Sequence, residues 1–327
     1  MHQYITLTYK KILKMKNISL FILLMAIMVV AVNSTKAQPL LPNNQYLFNK
    51  YAMNTAFAGS GGCFEGYFSS RQNWSGFENA PRTQMLFLDA PLYNKSSLGG
   101  YLTNDKYGIF QNTHVMVSYG YYIKIGKLQK LYFGLAGGLL HKNIDYGSVN
   151  SNNHNGVMDP MLNNVGSNDT WNFDAAFGIV YQCREIKIGF AAPSIVDMQI
   201  NNASNCYKFH ASNLFTLSRS IQLEPTLVVD MPTKKSVVYC ISAVATFKQQ
   251  VKAGLIYRKN GDMGIMASFI INRFSIGYSY EFGPVGPLGN SGGSHDITIG
   301  VIIGKSSKIN NNIPFFKPNN PYNQWVN

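Results

Sequence analysis

The sequence has few charged residues and, after its N-terminal region, no long apolar run. Asp, Glu, Lys and Arg make up 13% of the 327 residues, whereas roughly 25% is typical of soluble domains. Nothing from Gln38 onward is apolar over the roughly 20 residues that a membrane-spanning helix needs. Because hydrophobic residues still make up 46% of the chain, two classes remain. One is a secreted all-β protein, and the other is an outer-membrane β-barrel with short, alternating spans.

Cysteine is also scarce, and its spacing excludes some kinds of site. The four cysteines show no C-x-x-C pair, which argues against a zinc site and against a small disulfide scaffold. We expect separate thiols, no metal and no other cofactor. The positions are Cys63, Cys183, Cys206 and Cys240.

Known catalytic motifs are missing from the sequence. It contains no G-x-S-x-G elbow, H-E-x-x-H, P-loop or G-x-G-x-x-G context. Five histidines follow the N-terminal region without a clustered pair of carboxylates. We therefore predict a protein that is not an enzyme. These histidines are His114, His141, His154, His210 and His295.

The positive charge is spread along the chain and not gathered in one segment. The formal net charge is +13, but five of the 28 basic residues lie before Gln38, which leaves 23 basic against 15 acidic residues. A nucleic-acid-binding protein usually concentrates such a surplus in an arm, stripe or helix. We therefore expect no nucleic-acid partner.

The first 37 residues have the order of a secretory signal peptide. Basic residues between Lys10 and Lys16 precede an apolar run over 18–32, and Thr35-Lys36-Ala37 stand before Gln38. The run of about 15 residues is short for a retained membrane helix. The pattern predicts a signal peptide over 1–37 and export of the rest, with either Met1 or Met15 as the start.

From Cys63 to Gly304 the chain alternates between apolar and small or polar residues. In FSIGYSYEF, Phe274–Phe282, all the large apolar residues fall on one face of a strand. We count 14 such segments, with short connections after the even ones and mostly longer connections after the odd ones. Tight turns at one rim and long loops at the other are typical of bacterial barrels.

These features predict an all-β, 14-stranded antiparallel outer-membrane β-barrel over residues 63–304. Most segments are about 8 to 13 residues long, close to the 9–11 of a tilted membrane strand and longer than the 5–6 of soluble domains. The 20 Tyr, 20 Phe and three Trp suffice for aromatic girdles at the two interfaces. We expect the apolar faces to meet lipid, with short turns in the periplasm and longer loops outside the cell.

Short motifs along the chain resemble those of a known family. They are QYLFNKYAMNTAFAGSGG from Gln45, RQNWSGFENAPRTQ from Arg71, NDKYG from Asn104 and GSHDITIG at the last strand. In order and spacing they resemble the PorP/SprF family of type IX secretion system membrane proteins of Bacteroidetes. Thr55 stands where that family usually has Pro, and Arg82 where it has Lys. The matching positions are Tyr46, Phe48, Asn49, Asn54, Ala56, Phe57, Ala58, Gly59, Arg71, Trp74, Ala80, Pro81, Thr83, Gln84, Asn104, Asp105, Lys106 and Gly108.

The resemblance implies an outer-membrane component of the type IX secretion system. Such a protein binds the secretion machinery, its cargo or both, and so supports export or surface display of secreted proteins such as gliding adhesins. The implied partners are outer-membrane lipids, periplasmic proteins or lipoproteins of the system, and secreted proteins with C-terminal sorting domains. The alternative is an outer-membrane porin or small-molecule uptake channel.

The N-terminal segment 38–62 and the tail 305–327 flank the predicted barrel. Residues 38–62 precede the first strand and lie either in the periplasm or in the lumen. There they form a plug or docking element, or their small residues merely lead the chain into the wall. An even strand number returns the tail to the periplasm, where its aromatic residues are candidate partner anchors or belong to a disordered end. These are Phe315, Phe316, Tyr322 and Trp325.

The remaining motifs fall near the rim with the longer loops. Residues 80–83 lie between strands one and two, and 104–108 open the next loop, so turn chemistry and cargo contact are both open. For Glu65, Arg71 and Asp89 we favour a lumenal ion-pair network. The longest connection, 143–171, is rich in Asn and is expected to be a surface loop.

Overall fold

The polypeptide forms one closed antiparallel β-barrel. The computed structural model describes residues 44–144, 168–195, 206–232, 237–259, 261–283 and 291–304. The strands are β1 (Phe64–Gln72), β2 (Arg82–Pro91), β3 (Ser96–Tyr107), β4 (Phe110–Gly126), β5 (Gln129–Ile144), β6 (Asn168–Cys183), β7 (Ile186–Ala192), β8 (Cys206–Asn213), β9 (Phe215–Thr216), β10 (Ile221–Pro232), β11 (Val238–Phe247), β12 (Val251–Arg258), β13 (Met263–Ile271), β14 (Phe274–Phe282) and β15 (Ser294–Ile303).

Fourteen spans build the wall. Strands β8 and β9 are separated only by Leu214 and both pair with β10, so together they make one span. Each span pairs with its neighbour in sequence, and the pairing of β1 with β15 closes the ring. The predicted 14-stranded up-and-down barrel is therefore confirmed.

The alternation of each strand separates an outer from an inner face. On β14, Phe274 and Ile276 are 60% and 56% exposed, whereas Ser279 and Glu281 are 1% and 2% exposed. This is the arrangement expected when the apolar face of a barrel meets lipid and the polar face lines the lumen. The hydrophobic core accordingly lies inside the barrel, where Met85, Phe87 and Val180 pack against residues that precede β1.

Several strands extend further than the sequence pattern predicts. Asn104, Asp105 and Lys106 were expected to open a loop, but β3 continues to Tyr107 and turns into β4 through Gly108 and Ile109. Gly108 has a φ of +57°, a conformation that Gly adopts at little cost. Continuous hydrogen-bonded pairing with β2 and β4 carries the strand past these polar residues.

The same extension shortens two other predicted connections. Arg82 and Thr83 begin β2, and the ends of the predicted 143–171 loop belong to β5 and β6. The middle of that loop, 145–167, lies outside the described residues, as do the predicted signal peptide 1–37 and the tail 305–327. Within the described residues, no helix is long and apolar enough to cross a membrane.

Candidate functional site: a segment inside the barrel

Residues 44–62, the lumenal segment, fold as three short 3-10 helices before β1. The helices are Asn44–Leu47, Lys50–Ala52 and Thr55–Phe57. Asn49 and Asn54 begin the second and third, and their side-chain oxygens accept hydrogen bonds from the amides of Tyr51 and Ala56, both at 2.9 Å. Asn favours such positions because its short side chain satisfies an otherwise free backbone N–H.

The segment runs along the lumen from one end of the wall to the other. Asn44 contacts Arg258 and Glu281, which lie at the ends of β12 and β14 that lead into the longer loops. Gly62 stands at the opposite rim, where β1 begins. By the usual orientation of bacterial barrels, these are the extracellular and the periplasmic ends.

A buried ion-pair network holds the extracellular end of the segment. Glu281 accepts from Asn44 Nδ2 at 2.6 Å and from Arg258 Nη2 at 2.6 Å, and it forms a second ion pair with Arg71. Arg258 also donates to Asn44 Oδ1 at 2.5 Å. All four side chains are at most 3% exposed. Of the three residues expected to form a lumenal ion-pair network, Arg71 does so, and its network includes the segment itself. Glu65 and Asp89 lie at the other end of β1 and β2, and Asp89 accepts from the Gly59 amide instead.

Gln45 adds a second polar anchor beside this network. Its Nε2 donates to Asp296 Oδ1 at 3.1 Å and to Thr298 Oγ1 at 3.0 Å, and it also bonds Ser69. Ser69 Oγ donates to Asp296 Oδ1 at 2.8 Å. Because buried polar groups are costly when unpaired, these bonds favour one position of the segment.

Aromatic side chains of the segment fill the middle of the lumen. Tyr46 Oη lies 3.3 Å from Cys240 Sγ, and Tyr51 Oη lies 2.6 Å from Ser118 Oγ.

Glycines of the wall make room for this packing. A Cβ built on Gly99, Gly134, Gly178 or Gly277 would lie within 2.8 Å of Tyr51, Thr55, Asn54 or Phe48, respectively. Each of these glycines faces the lumen, and together they come from β3, β5, β6 and β14. The inner surface of the wall is thus complementary in shape to the segment on several sides.

The third helix packs against β7 and β8. Asn54 Nδ2 donates to the carbonyl oxygen of Phe190 at 3.0 Å and lies 3.1 Å from His210 Nε2. The Phe57 ring lies against the His210 ring, with a centroid distance of 5.3 Å. Asn54 is 2% and Phe57 3% exposed.

Charged residues also anchor the periplasmic half. Lys50 forms an ion pair with Glu224 on β10, and Lys187 Nζ lies 5.8 Å from the centroid of the Phe57 ring. The Gly59 amide donates to Asp89 Oδ2 at 2.7 Å. Asp89 and Glu65, which are Cα partners, therefore lie near the periplasmic rim.

A cavity of about 480 Å³ lies beside the segment at this rim. Its walls are the small residues from Ala56 to Gly62, the β2–β3 turn and three tyrosines, Tyr121, Tyr122 and Tyr132. Lys95 of the turn supplies a cation. Within the described parts of the chain, no cluster of three or more His, Cys, Asp or Glu side chains could hold a metal ion, and all four cysteines are free thiols.

The structure divides the motif residues named from the sequence into three groups. The first lies in the lumenal segment and is buried, apart from the half-buried Gly59: Tyr46, Phe48, Asn49, Asn54, Ala56, Phe57, Ala58 and Gly59. The second faces the lumen from the wall: Arg71 in its ion pair, and Thr83, whose hydroxyl bonds Asp105 Oδ1 at 2.5 Å. The third is at or outside the extracellular rim: Trp74, Ala80, Pro81, Gln84, Asn104, Lys106 and Gly108.

Sequence reasoning missed most of the wall residues that hold the segment. Arg258, Glu281 and Glu224 belong to strands with no recognised motif, and Asp296 lies in the GSHDITIG motif but was not singled out. A signal was nevertheless present, because Glu281 is the one charged residue of a strand whose inward face otherwise carries Ser and Gly. The tail residues Phe315, Phe316, Tyr322 and Trp325 lie outside the described residues.

Comparison with known proteins identifies the family. The family model described as "Type IX secretion system membrane protein PorP/SprF" matches residues 35–301. The chain belongs to this family. No curated protein sequence is significantly similar to it. As a PorP/SprF protein with a closed barrel, it is an outer-membrane component of the type IX secretion system.

Solved structures of other outer-membrane proteins align with this PorP/SprF chain at low identity. The Acinetobacter baumannii outer membrane protein Omp33 is 6% identical with a TM-score of 0.46, and the alignment covers 74% of this chain and 100% of that one. The CymD monoaromatic hydrocarbon channel is 11% identical with a TM-score of 0.47, covering 83% and 96%. The Ralstonia pickettii toluene transporter TbuX is 10% identical with a TM-score of 0.46, covering 79% and 92%.

Proposed function

We propose that this protein is a closed scaffold of the type IX secretion system, which binds secretion machinery, cargo or both without conducting solutes. In that role it supports export or surface display of secreted proteins, gliding adhesins among them. It acts by recognition and performs no chemistry. A signal peptide over 1–37 brings it to the outer membrane.

The lumenal segment is the observation that carries this proposal. It contacts inward residues of β1, β2, β10, β11, β12, β14 and β15 and the glycines of β3, β5 and β6. A porin needs a water-filled lumen, whereas here aromatic rings and buried ion pairs occupy it. The segment supports a scaffold over the porin or uptake channel that the strand pattern alone also allows.

Binding partners would meet the surfaces that remain accessible at the two rims. On the periplasmic side the candidates are the tail 305–327, which the even strand number predicts there, and the cavity beside Tyr121 and Tyr122. Aromatic residues are enriched at protein interfaces, so the four aromatic residues of the tail are our candidate anchors. Periplasmic proteins or lipoproteins of the system fit that side, and secreted proteins with C-terminal sorting domains fit the loops.

Single-channel recording in planar bilayers tests the closed lumen. The purified protein should give no steady ionic current, while a porin reconstituted in parallel conducts. A stable conductance in most insertions would contradict the scaffold and favour the channel.

Affinity capture from outer-membrane extract tests the secretion role separately. The tagged protein should recover periplasmic lipoproteins of the type IX system or proteins with C-terminal sorting domains, identified by mass spectrometry. A tagged outer-membrane barrel of another family serves as the control. If neither class is recovered above that control, the proposed partners would be contradicted. That result would not bear on the closed lumen, which the conductance measurement tests.

A further inference from the structure

The outer face of β1–β4 changes from apolar to polar at one row of paired residues. Phe68, Leu86, Leu102 and Val115 are Cα partners in sequence, and all are more than 35% exposed. Two residues further toward the extracellular rim, the partners are Ser70, Gln84, Asn104 and Thr113. The upper edge of the lipid-covered band therefore lies between these two rows.

Two uncompensated cations stand directly above the polar row. Arg82 and Lys106 are Cα partners on β2 and β3, and both side chains are exposed on the outer face. Neither forms an ion pair with a described residue, and Asp105, which precedes Lys106 in the chain, faces the lumen and accepts from Thr83. The other outward residues of that row, Gln72 and Gln111, are neutral.

This pairing is unfavourable unless an anion lies nearby. Like charges directly opposite each other on neighbouring strands are destabilising. An arginine fork beside a lysine ammonium is, in contrast, well suited to a phosphate group. Below the two cations, Asn104 Oδ1 accepts from Gln111 Nε2 and Thr113 Oγ1, both at 3.1 Å. The Asn104 and Gln84 amides leave further donors on the same face.

The depth of the pair fits a lipid headgroup. Arg82 lies four residues beyond Leu86, which corresponds to roughly 10 Å along the membrane normal for a strand tilted by about 40°. Long basic side chains can bend back toward an interface. Both cations can therefore reach the level at which the headgroups of the outer leaflet begin.

We propose that Arg82 and Lys106, with the Gln84 and Asn104 amides beneath them, form a docking site for the phosphate of a phosphorylated glycolipid in the outer leaflet. The site lies on the lipid-facing surface and is independent of the lumenal segment. It gives two family motifs, PRTQ and NDK, a common role on the outer face of paired strands. Thr83 and Asp105 of the same two motifs point into the lumen instead, where the Thr83 hydroxyl donates to Asp105.

Lipid retention by the full-length protein tests this site. Protein in neutral detergent is mixed with diphosphoryl lipid A, and bound lipid is counted by native mass spectrometry. The variant Arg82→Gln/Lys106→Gln should bind roughly 25-fold more weakly, since each cation near an anionic surface contributes on the order of a fivefold gain. The matched control is Lys127→Gln/Arg273→Gln, which removes two exposed cations from periplasmic turns and should leave binding unchanged.

Further arms identify the chemistry that is recognised. Dephosphorylated lipid A should bind wild type and the double variant equally weakly, and Arg82→Lys should keep most of the binding. If the double variant fails to fold, as judged by its heat-dependent shift on electrophoresis, the single variants Arg82→Gln and Lys106→Gln should each show an intermediate loss. Equal lipid binding by wild type and a folded variant would overturn the site. So would loss of protein-partner capture with lipid binding intact, which would assign the pair to a protein instead.

Discussion

Gly134 on β5 lies against the backbone of Ala56 in the lumenal segment, so closely that a Cβ there would come within 2.4 Å of the Ala56 amide nitrogen. Backbone atoms cannot rotate away from such a contact as the end of a long side chain can. Any side chain at Gly134 must therefore displace the segment or distort the wall. This relationship makes the closed lumen testable by a single substitution.

Gly134→Leu should move the lumenal segment and open a path for ions. We expect a measurable conductance in planar bilayers where the wild type shows none. Gly137→Leu is the control, because Gly137 lies on the same strand but faces outward, where a Cβ meets only Phe173 at 3.7 Å. A silent, folded Gly134→Leu protein would show that the lumen stays closed without this contact.

Glu281→Gln should destabilise the barrel strongly. The substitution leaves Arg71 and Arg258 buried without their carboxylate, and breaking one partner of a buried ion pair costs roughly 3–5 kcal/mol. Urea unfolding in lipid vesicles measures the free energy of unfolding. Glu78→Gln, at an exposed position of the β1–β2 loop, should change it by less than about 0.5 kcal/mol.

A second substitution separates charge from packing at the same place. Glu281→Gln combined with Arg258→Met removes one of the uncompensated cations and should recover part of the lost stability. If Glu281→Gln were as stable as Glu78→Gln, the ion pairs would not hold the segment.

Cys240 should report whether the segment is in place. Its thiol is 2% exposed beneath Tyr46, so a maleimide should label it slowly in a background with Cys63→Ser, Cys183→Ser and Cys206→Ser. Asn44→Ala/Gln45→Ala removes several buried hydrogen bonds, each worth roughly 1 kcal/mol, and should speed labelling roughly tenfold or more. Mass spectrometry follows the reaction.

The exposed turn variant Ser218→Ala controls for nonspecific loosening and should label like the background protein. Fast labelling in the background protein itself would show that the segment leaves the lumen readily.

The aromatic residues of the tail should contribute most of its partner binding. We expect Phe315→Ala/Phe316→Ala/Tyr322→Ala/Trp325→Ala to lower capture of periplasmic partners at least tenfold, because buried aromatic anchors often cost 2 kcal/mol or more when truncated. Asn310→Ala/Asn311→Ala/Asn319→Ala/Asn323→Ala changes as many tail residues without removing aromatic rings. Equal capture by both variants would place the anchors elsewhere.

The strand number and the two faces of the wall were predictable because both follow from the local sequence pattern of each strand. In β14, Phe274 to Phe282 alternate with a period of two, and that period alone assigns each side chain to lipid or lumen. Strand ends were less predictable. Asn104 and Lys106 are polar and resemble a turn, yet pairing with β2 and β4 keeps them in β3.

The sequence by itself determined a barrel of alternating strands, because lipid on one side and a polar lumen on the other select the same two-residue period in every span. Only the tertiary structure decided what fills that barrel. Gln45 meets Asp296 across 251 positions of sequence, and Asn44 meets Glu281 across 237. Closure of the ring brings β12, β14, β15 and β1 around Asn44 and Gln45, and it thereby determines these partners. No local sequence pattern indicates contacts between residues so far apart in the chain.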